Sequence, residues 1–223
     1  MTANTVLLAN KRWGMLVDLS HRRSDLAREN DLTLVRFAPA YWITPNLSVA
    51  AGYAHLWSAT SGNSGEIILN ENRLHQQLIY VLRGGAGSFN SRLRIEERWR
   101  EASINGTPSN RFSYTTRYRL LLGYRHPLSG SPLAPQMVLA EEIMLHTGKA
   151  VRNGSFEQNR LFAGIQWRFS TSLNLETGYM YTWQKQLVKD TYQSIHTLRL
   201  TLSYERMAGN GKQRLPADIG THN

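Results

Sequence analysis

The chain has 223 residues, no cysteine, and 26 Lys and Arg against 16 Asp and Glu, a formal net charge of +10. The absence of cysteine excludes a disulfide framework, a thiolate metal site and a cysteine nucleophile together, and no apolar run approaches the roughly 20 residues of a membrane helix. A mean hydropathy of -0.41 leaves barrel strands open, because only every second residue of such a strand faces lipid.

Met1–Asn10 contains the short apolar piece Val6-Leu7-Leu8-Ala9 but neither a basic n-region nor a full apolar h-region. It reads as an N-terminal extension over residues 1–10, with any export signal expected either to have been removed or to lie upstream. From residue 11 to 206 the chain runs through about ten stretches (10–12) of alternating apolar and polar residues. They are separated by connections that are by turns short and longer. Thr44-Pro45-Asn46, Gly84-Gly85-Ala86-Gly87, Pro127 to Pro132 and Ser170-Thr171-Ser172 read as tight turns. His21 to Asp31, Ser58 to Asn70, Glu101 to Asn110, Thr147 to Gln158 and Lys185 to Thr191 read as longer polar links. Short turns at one end and long loops at the other are the pattern of an outer-membrane barrel, with the turns on the periplasmic side. The expected fold is all-β, an antiparallel up-and-down transmembrane-type barrel in one domain, with residues 207–223 as a flexible tail.

The first strand carries Asp18, and the region of Arg73-Leu74-His75-Gln76-Gln77 places His75 on a face with Arg73 and Gln77. The densest chemistry follows in Arg92-Leu93-Arg94-Ile95-Glu96-Glu97-Arg98-Trp99, where Arg92, Arg94, Glu96 and Arg98 share one face of a strand. An Arg at the bilayer midplane of a barrel costs roughly 2–4 kcal/mol on the lipid side, so this row is expected to point inward. Arg117, Arg119 and Arg125 continue it in the next strand, while Tyr114, Tyr118, Leu120, Leu122 and Tyr124 take the other face. Glu142 lies in phase, whereas Glu97 and Glu141 fall out of phase and are expected near a strand end or bulge.

Farther on, Leu161, Ala163, Ile165, Trp167 and Phe169 oppose Arg160, Phe162, Gly164, Gln166 and Arg168. Leu175, Tyr179 and Trp183 oppose Glu176, Gly178 and Met180, and Leu198, Leu200, Leu202 and Tyr204 oppose Arg199, Ser203 and Glu205. Only a period of two separates these groups. Trp13, Trp42, Trp57, Trp99, Tyr114, Tyr124, Trp167, Tyr179, Trp183 and Tyr204 cluster toward the ends of the apolar stripes, as interfacial girdles would.

The inward set Arg92, Arg94, Glu96, Arg98, Arg117, Arg119, Glu142, Arg160, Arg168, Glu176 and Arg199 forms the candidate binding site. Cross-strand Arg–carboxylate pairs would fill a narrow lumen. They leave two readings, a polar plug or an Arg-lined path for a small anionic solute. None of the seven histidines has metal-ligand spacing, and neither catalytic residues nor a cofactor is expected. Ser194-Ile195-His196 would put a hydroxyl and an imidazole on one face, a minimal basis for a lipid hydrolase. A soluble polyanion-binding β-protein would explain the charge, but it needs another layer to cover the apolar stripes.

Several segments resemble a bacterial family known as domain of unknown function 2490, an outer-membrane β-barrel-like group. They are Ala51-Gly52-Tyr53-Ala54, Glu71 to Leu78, Arg92 to Arg98, Arg117-Tyr118-Arg119, Glu141-Glu142, Asn159 to Gly164 and Gly178-Tyr179-Met180. The resemblance spans about Trp13 to Tyr204. It implies a bacterial outer-membrane location and an Arg ladder that belongs to the family's pattern, and it implies no established reaction. The expected partners follow from the location: membrane lipid and lipopolysaccharide, the barrel-assembly machinery, and no nucleic acid, with the protein a monomer. Such families usually begin with an export signal and often a further N-terminal strand.

Overall fold

The computed structural model describes residues 1–207 apart from 9, 11, 25–28, 63, 64, 86, 187 and 189. Eleven strands make up the described fold: β1 (Thr2–Leu8), β2 (Trp13–Ser24), β3 (Glu29–Thr44), β4 (Leu47–Gly62), β5 (Gly65–Gly84), β6 (Gly87–Ile104), β7 (Thr107–Pro127), β8 (Gln136–Thr147), β9 (Phe156–Arg168), β10 (Leu173–Lys185) and β11 (Tyr192–Met207). Each pairs antiparallel with its neighbour in sequence, and the sheet closes on itself through β1 and β11. That closing pair is parallel, from Thr2 opposite Thr201 to Leu8 opposite Met207, as an odd strand number requires. Full closure removes the unpaired edges that an open sheet would expose.

The segment read as an N-terminal extension is therefore a strand of the barrel. Thr2, Asn4 and Val6 are buried while Leu7 is exposed, so even these seven residues carry the two-face pattern. The expected tail begins inside β11 at Met207, and its remainder, residues 208–223, lies outside the described residues.

Two of the long links, Ser58 to Asn70 and Glu101 to Asn110, are also largely strand, whereas 148–155 and 186–191 lie between strands. β4 and β5 stay paired to Gly62 opposite Gly65, and β6 and β7 to Ile104 opposite Thr107. Between the last pair, Asn105 and Gly106 both have positive φ, 50° and 68°, the two-residue hairpin turn whose twist matches that of the strands. The asymmetry between the two ends thus lies in strand length. β5, β6 and β7 have 20, 18 and 21 residues, against 13 in β9 and in β10. At the opposite end, Pro127 to Pro132 is not a tight turn. The β7–β8 ladder ends with Pro127 opposite Gln136, and an eight-residue link follows, closed by the Leu128 N–H donating to the Pro135 carbonyl at 2.9 Å.

Burial in this barrel is the reverse of an ordinary soluble core. The largest fully buried side chains include Arg92, Arg94, His75 and Glu96, while Leu74, Leu93, Leu120, Leu161, Leu198 and Leu200 are exposed on the outer surface. An apolar cluster of Val6, Leu16, Ala38, Ala40, Trp42, Ala50, Ile79 and Val81 fills the lumen near the β3–β4 and β5–β6 turns. Trp42 is part of that cluster, not of an outer girdle: β3 alternates inward through Leu34, Arg36, Ala38, Ala40 and Trp42. Glu97 and Glu141 are likewise not at strand ends or bulges. Both sit within regular ladder, and Glu141 accepts a hydrogen bond from Asn159 Nδ2 at 2.8 Å on the outer face.

Candidate functional site

Strand parity decides what enters the lumen. In β5, Glu71, Arg73, His75 and Gln77 face in. In β6 it is Arg92, Arg94, Glu96 and Arg98, and in β7 Arg117, Arg119 and Arg125. Register then sets Glu96 directly between His75 and Arg117, and Arg94 between Gln77 and Arg119.

Glu96 is the hub. Its carboxylate is 2.9 Å from Arg119 Nη1, in closer contact still with Arg117 Nη2, and within 3.5 Å of Arg94 and 3.8 Å of Arg73. Glu142, from β8, accepts from Arg92 Nη2 at 2.8 Å and from Arg119 Nε and Nη2 at 2.9 and 2.8 Å, with Arg160 at 3.9 Å. Glu71 accepts from Arg73 at 2.7 Å and Arg98 at 2.5 Å. Planar guanidinium forks suit such shared carboxylates, since each fork can bind two oxygens at once.

Two smaller groups complete the interior. Arg36 donates to Asp18 at 3.0 Å. Glu176 accepts from Arg199 and, at 3.5 Å, from Arg125. The Arg199 guanidinium also lies 3.6 Å over the Phe162 ring. That ring covers the paired glycines Gly164 and Gly178: a Cβ on either would fall within 2.7 Å of Phe162 Cζ. A bare backbone pair thus makes room for a flat ring, and the ring makes a platform for a cation.

All the candidate lumen residues except Arg168 are in this ion-pair network. Arg168 is half-buried at the last position of β9, opposite Asn174. Sequence reading did not place Glu71, Arg36 or Glu157 in the set. Glu71 carried a usable signal, being in phase with Arg73 and His75. Glu157 carried none, because parity puts it outside; the register shift in the β8–β9 ladder at Met144/Leu145 turns it to Arg98 and Arg117, at 2.9 and 3.6 Å.

Among the described residues, ten arginines that are buried or ion-paired in the interior (Arg36, Arg73, Arg92, Arg94, Arg98, Arg117, Arg119, Arg125, Arg160, Arg199) face seven carboxylates (Asp18, Glu71, Glu96, Glu142, Glu157, Glu176, Glu205), with the partly buried Arg100 beside them. The cavity beside Arg160, Phe162 and Arg199 measures about 10 Å³, roughly the room one water needs.

The remaining chemistry lies outside the lumen. Ser194 and His196 do not form a nucleophile–base pair: Ser194 Oγ shares a hydrogen bond with Tyr181 at 2.9 Å, and His196 Nδ1 one with Tyr179. No group of three His, Cys, Asp or Glu among the described residues is placed to hold a metal ion. In the crown above the long strands, Glu101 accepts from the Asn70 N–H at 3.0 Å, from Asn70 Nδ2 at 2.8 Å and from the Asn110 N–H at 3.0 Å. These hydrogen bonds, those from Asn70 foremost, hold its carboxyl below the usual carboxylate range.

A family model described as protein of unknown function (DUF2490) matches residues 1–193. No curated protein and no solved structure matches the chain.

Proposed function

We propose that this chain, which belongs to the DUF2490 family, is an outer-membrane β-barrel of structural or ligand-binding type whose lumen is filled by its own Arg–Glu network. The observation that carries the reading is the reversed distribution of side chains, with charge inside and aliphatic and aromatic residues outside. In water this arrangement would expose a continuous apolar belt and bury charges at a desolvation cost. In lipid the same belt is the favourable surface. Strands of about 9–11 residues suffice to cross a bilayer, so β5, β6 and β7 would project beyond it as a crown. The partners in this reading are membrane lipid, lipopolysaccharide and the barrel-assembly machinery, and the protein acts as a monomer without catalysis.

Fractionation tests this directly. The protein, expressed behind an export signal, should sediment with outer membranes and run faster on a gel unheated than boiled. Recovery in the soluble fraction with identical mobility in both states would overturn the reading.

The arginine excess favours a second reading, a narrow anion-preferring channel. Against an open path stand the apolar cluster around Trp42 and the shared carboxylates at mid-lumen. Bilayer recordings separate the two: the filled lumen predicts no steady conductance, and an anion-selective current would establish the channel.

A further inference from the structure

Among the described residues the interior has more arginines than carboxylates, and at one place buried donors have no hydrogen-bond partner. Uncompensated charge away from water is strongly unfavourable, and buried polar groups are nearly always hydrogen-bonded. Arg94 is 1% exposed, yet its strong hydrogen bonds go to a neutral group: Nε and Nη2 donate to Gln77 Oε1 at 2.9 and 2.6 Å. Its Nη1 is 3.5 Å from the crowded Glu96 carboxylate and has no hydrogen-bond partner among the described residues. His75, cross-strand neighbour of Glu96, is 2% exposed, and neither ring nitrogen has a hydrogen-bond partner among the described residues. Arg36 and Arg92 both act electrostatically on these two side chains, with the Glu96 carboxylate opposing them.

We propose that the lumen holds one small inorganic anion, of halide size, between Arg94 Nη1 and the His75 imidazole. The acceptor that both donors need is thereby supplied, and its charge offsets part of the arginine excess. Donor number argues for a halide over a phosphate: one Arg94 nitrogen and the His75 ring are the unsatisfied groups there, too few for four oxyanion oxygens. The ion is a resident structural counter-charge and is not conducted. The inference requires the closed barrel and its network but not the membrane, so it survives failure of the outer-membrane reading.

The test uses the full chain, purified in detergent and dialysed into gluconate, with Tm followed as bromide is added at constant ionic strength. One saturable site predicts a rise of about 3 to 5 °C per tenfold bromide above its Kd. Arg94→Gln should abolish the rise, while Arg125→Gln, which lies in the separate Glu176 group, should retain it. If Arg94→Gln does not fold, His75→Phe takes its place with the same expected loss. Crystals grown in bromide should give one anomalous peak within hydrogen-bonding distance of Arg94 Nη1. A Tm independent of bromide, an equal response to sulfate, an unchanged rise in the variants, or a bromide peak elsewhere would each overturn the proposal.

Discussion

The β2–β4 sector and the β5–β7 sector line the same lumen with opposite chemistry. β3 and β4 turn Leu34, Ala38, Ala40, Ala50, Ala54 and Leu56 inward, mostly small and apolar. β5 to β7 turn in seven buried arginines, Arg73, Arg92, Arg94, Arg98, Arg117, Arg119 and Arg125. Side chains fill this interior, and long groups in one sector need short ones in another. The same complementarity appears at smaller scale where Gly164 and Gly178 admit Phe162 beneath Arg199. Volume across the lumen is shared between sectors, and charge is concentrated in β5 to β7, although β2 and β3 contribute the Asp18–Arg36 pair.

The comparison breaks most severely at its charged hub. Glu96→Ala leaves Arg117, Arg119, Arg73 and Arg94 without their shared carboxylate. Removing one partner of a buried pair costs about 3–5 kcal/mol, so urea unfolding in detergent should show that loss or failure to fold. Glu96→Gln, which keeps acceptor and shape, should lose less. On the small-residue side, Ala38→Leu or Ala54→Leu adds volume where each alanine is at most 1% exposed. Overpacking of this kind costs about 1–3 kcal/mol, whereas the same enlargement at Ala163 on the outer face should cost far less. Equal effects at inner and outer positions would mean that the lumen is not close-packed.

Phe162→Leu sharpens the smaller-scale case. It removes the platform beneath Arg199 and uncovers the glycine pair, an expected loss of about 1–2 kcal/mol, visible as a lowered midpoint of unfolding. Glu101, in the crown, should matter least. Because its folded pKa is depressed, its contribution is present above the ordinary carboxylate range, near ~4.3, and is lost as pH falls through the folded value. Glu101→Gln should therefore flatten that acidic part of the stability–pH curve, with a change under about 1 kcal/mol at neutral pH.

Where strands carry two chemically distinct faces, the barrel is legible in the sequence. Arg92 to Trp99 and Arg160 to Phe169 each sort into a lumen row and an outer row by counting in twos, and pairing of the Arg rows with in-phase acids follows. Three things were hidden, each for a physical reason. The outer halves of β4 to β7 are rich in polar residues, so Ser58 to Asn70 and Glu101 to Asn110 look like loops although ladder hydrogen bonds hold much of them. Glu157 is turned in by a register shift, which moves a side chain across the sheet without changing composition. Trp42 is an aromatic near a strand end, and its neighbours' parity, not its residue type, places it inside. The two His75 ring nitrogens that have no hydrogen-bond partner among the described residues were beyond sequence altogether, since they depend on which groups the third dimension brings near.

The central claim is that lipid covers the outer face and never reaches the inner one, and the native tryptophans test it most directly. Trp13, Trp57, Trp167 and Trp183 are 53%, 39%, 41% and 41% exposed on the outside, against 4% for Trp42 within the lumen cluster. Variants retaining one tryptophan each, reconstituted into vesicles of brominated phospholipid, should show strong bromine quenching for the four outer residues and little for Trp42. Outer tryptophans quenched by aqueous acrylamide but not by the brominated lipid would contradict the account.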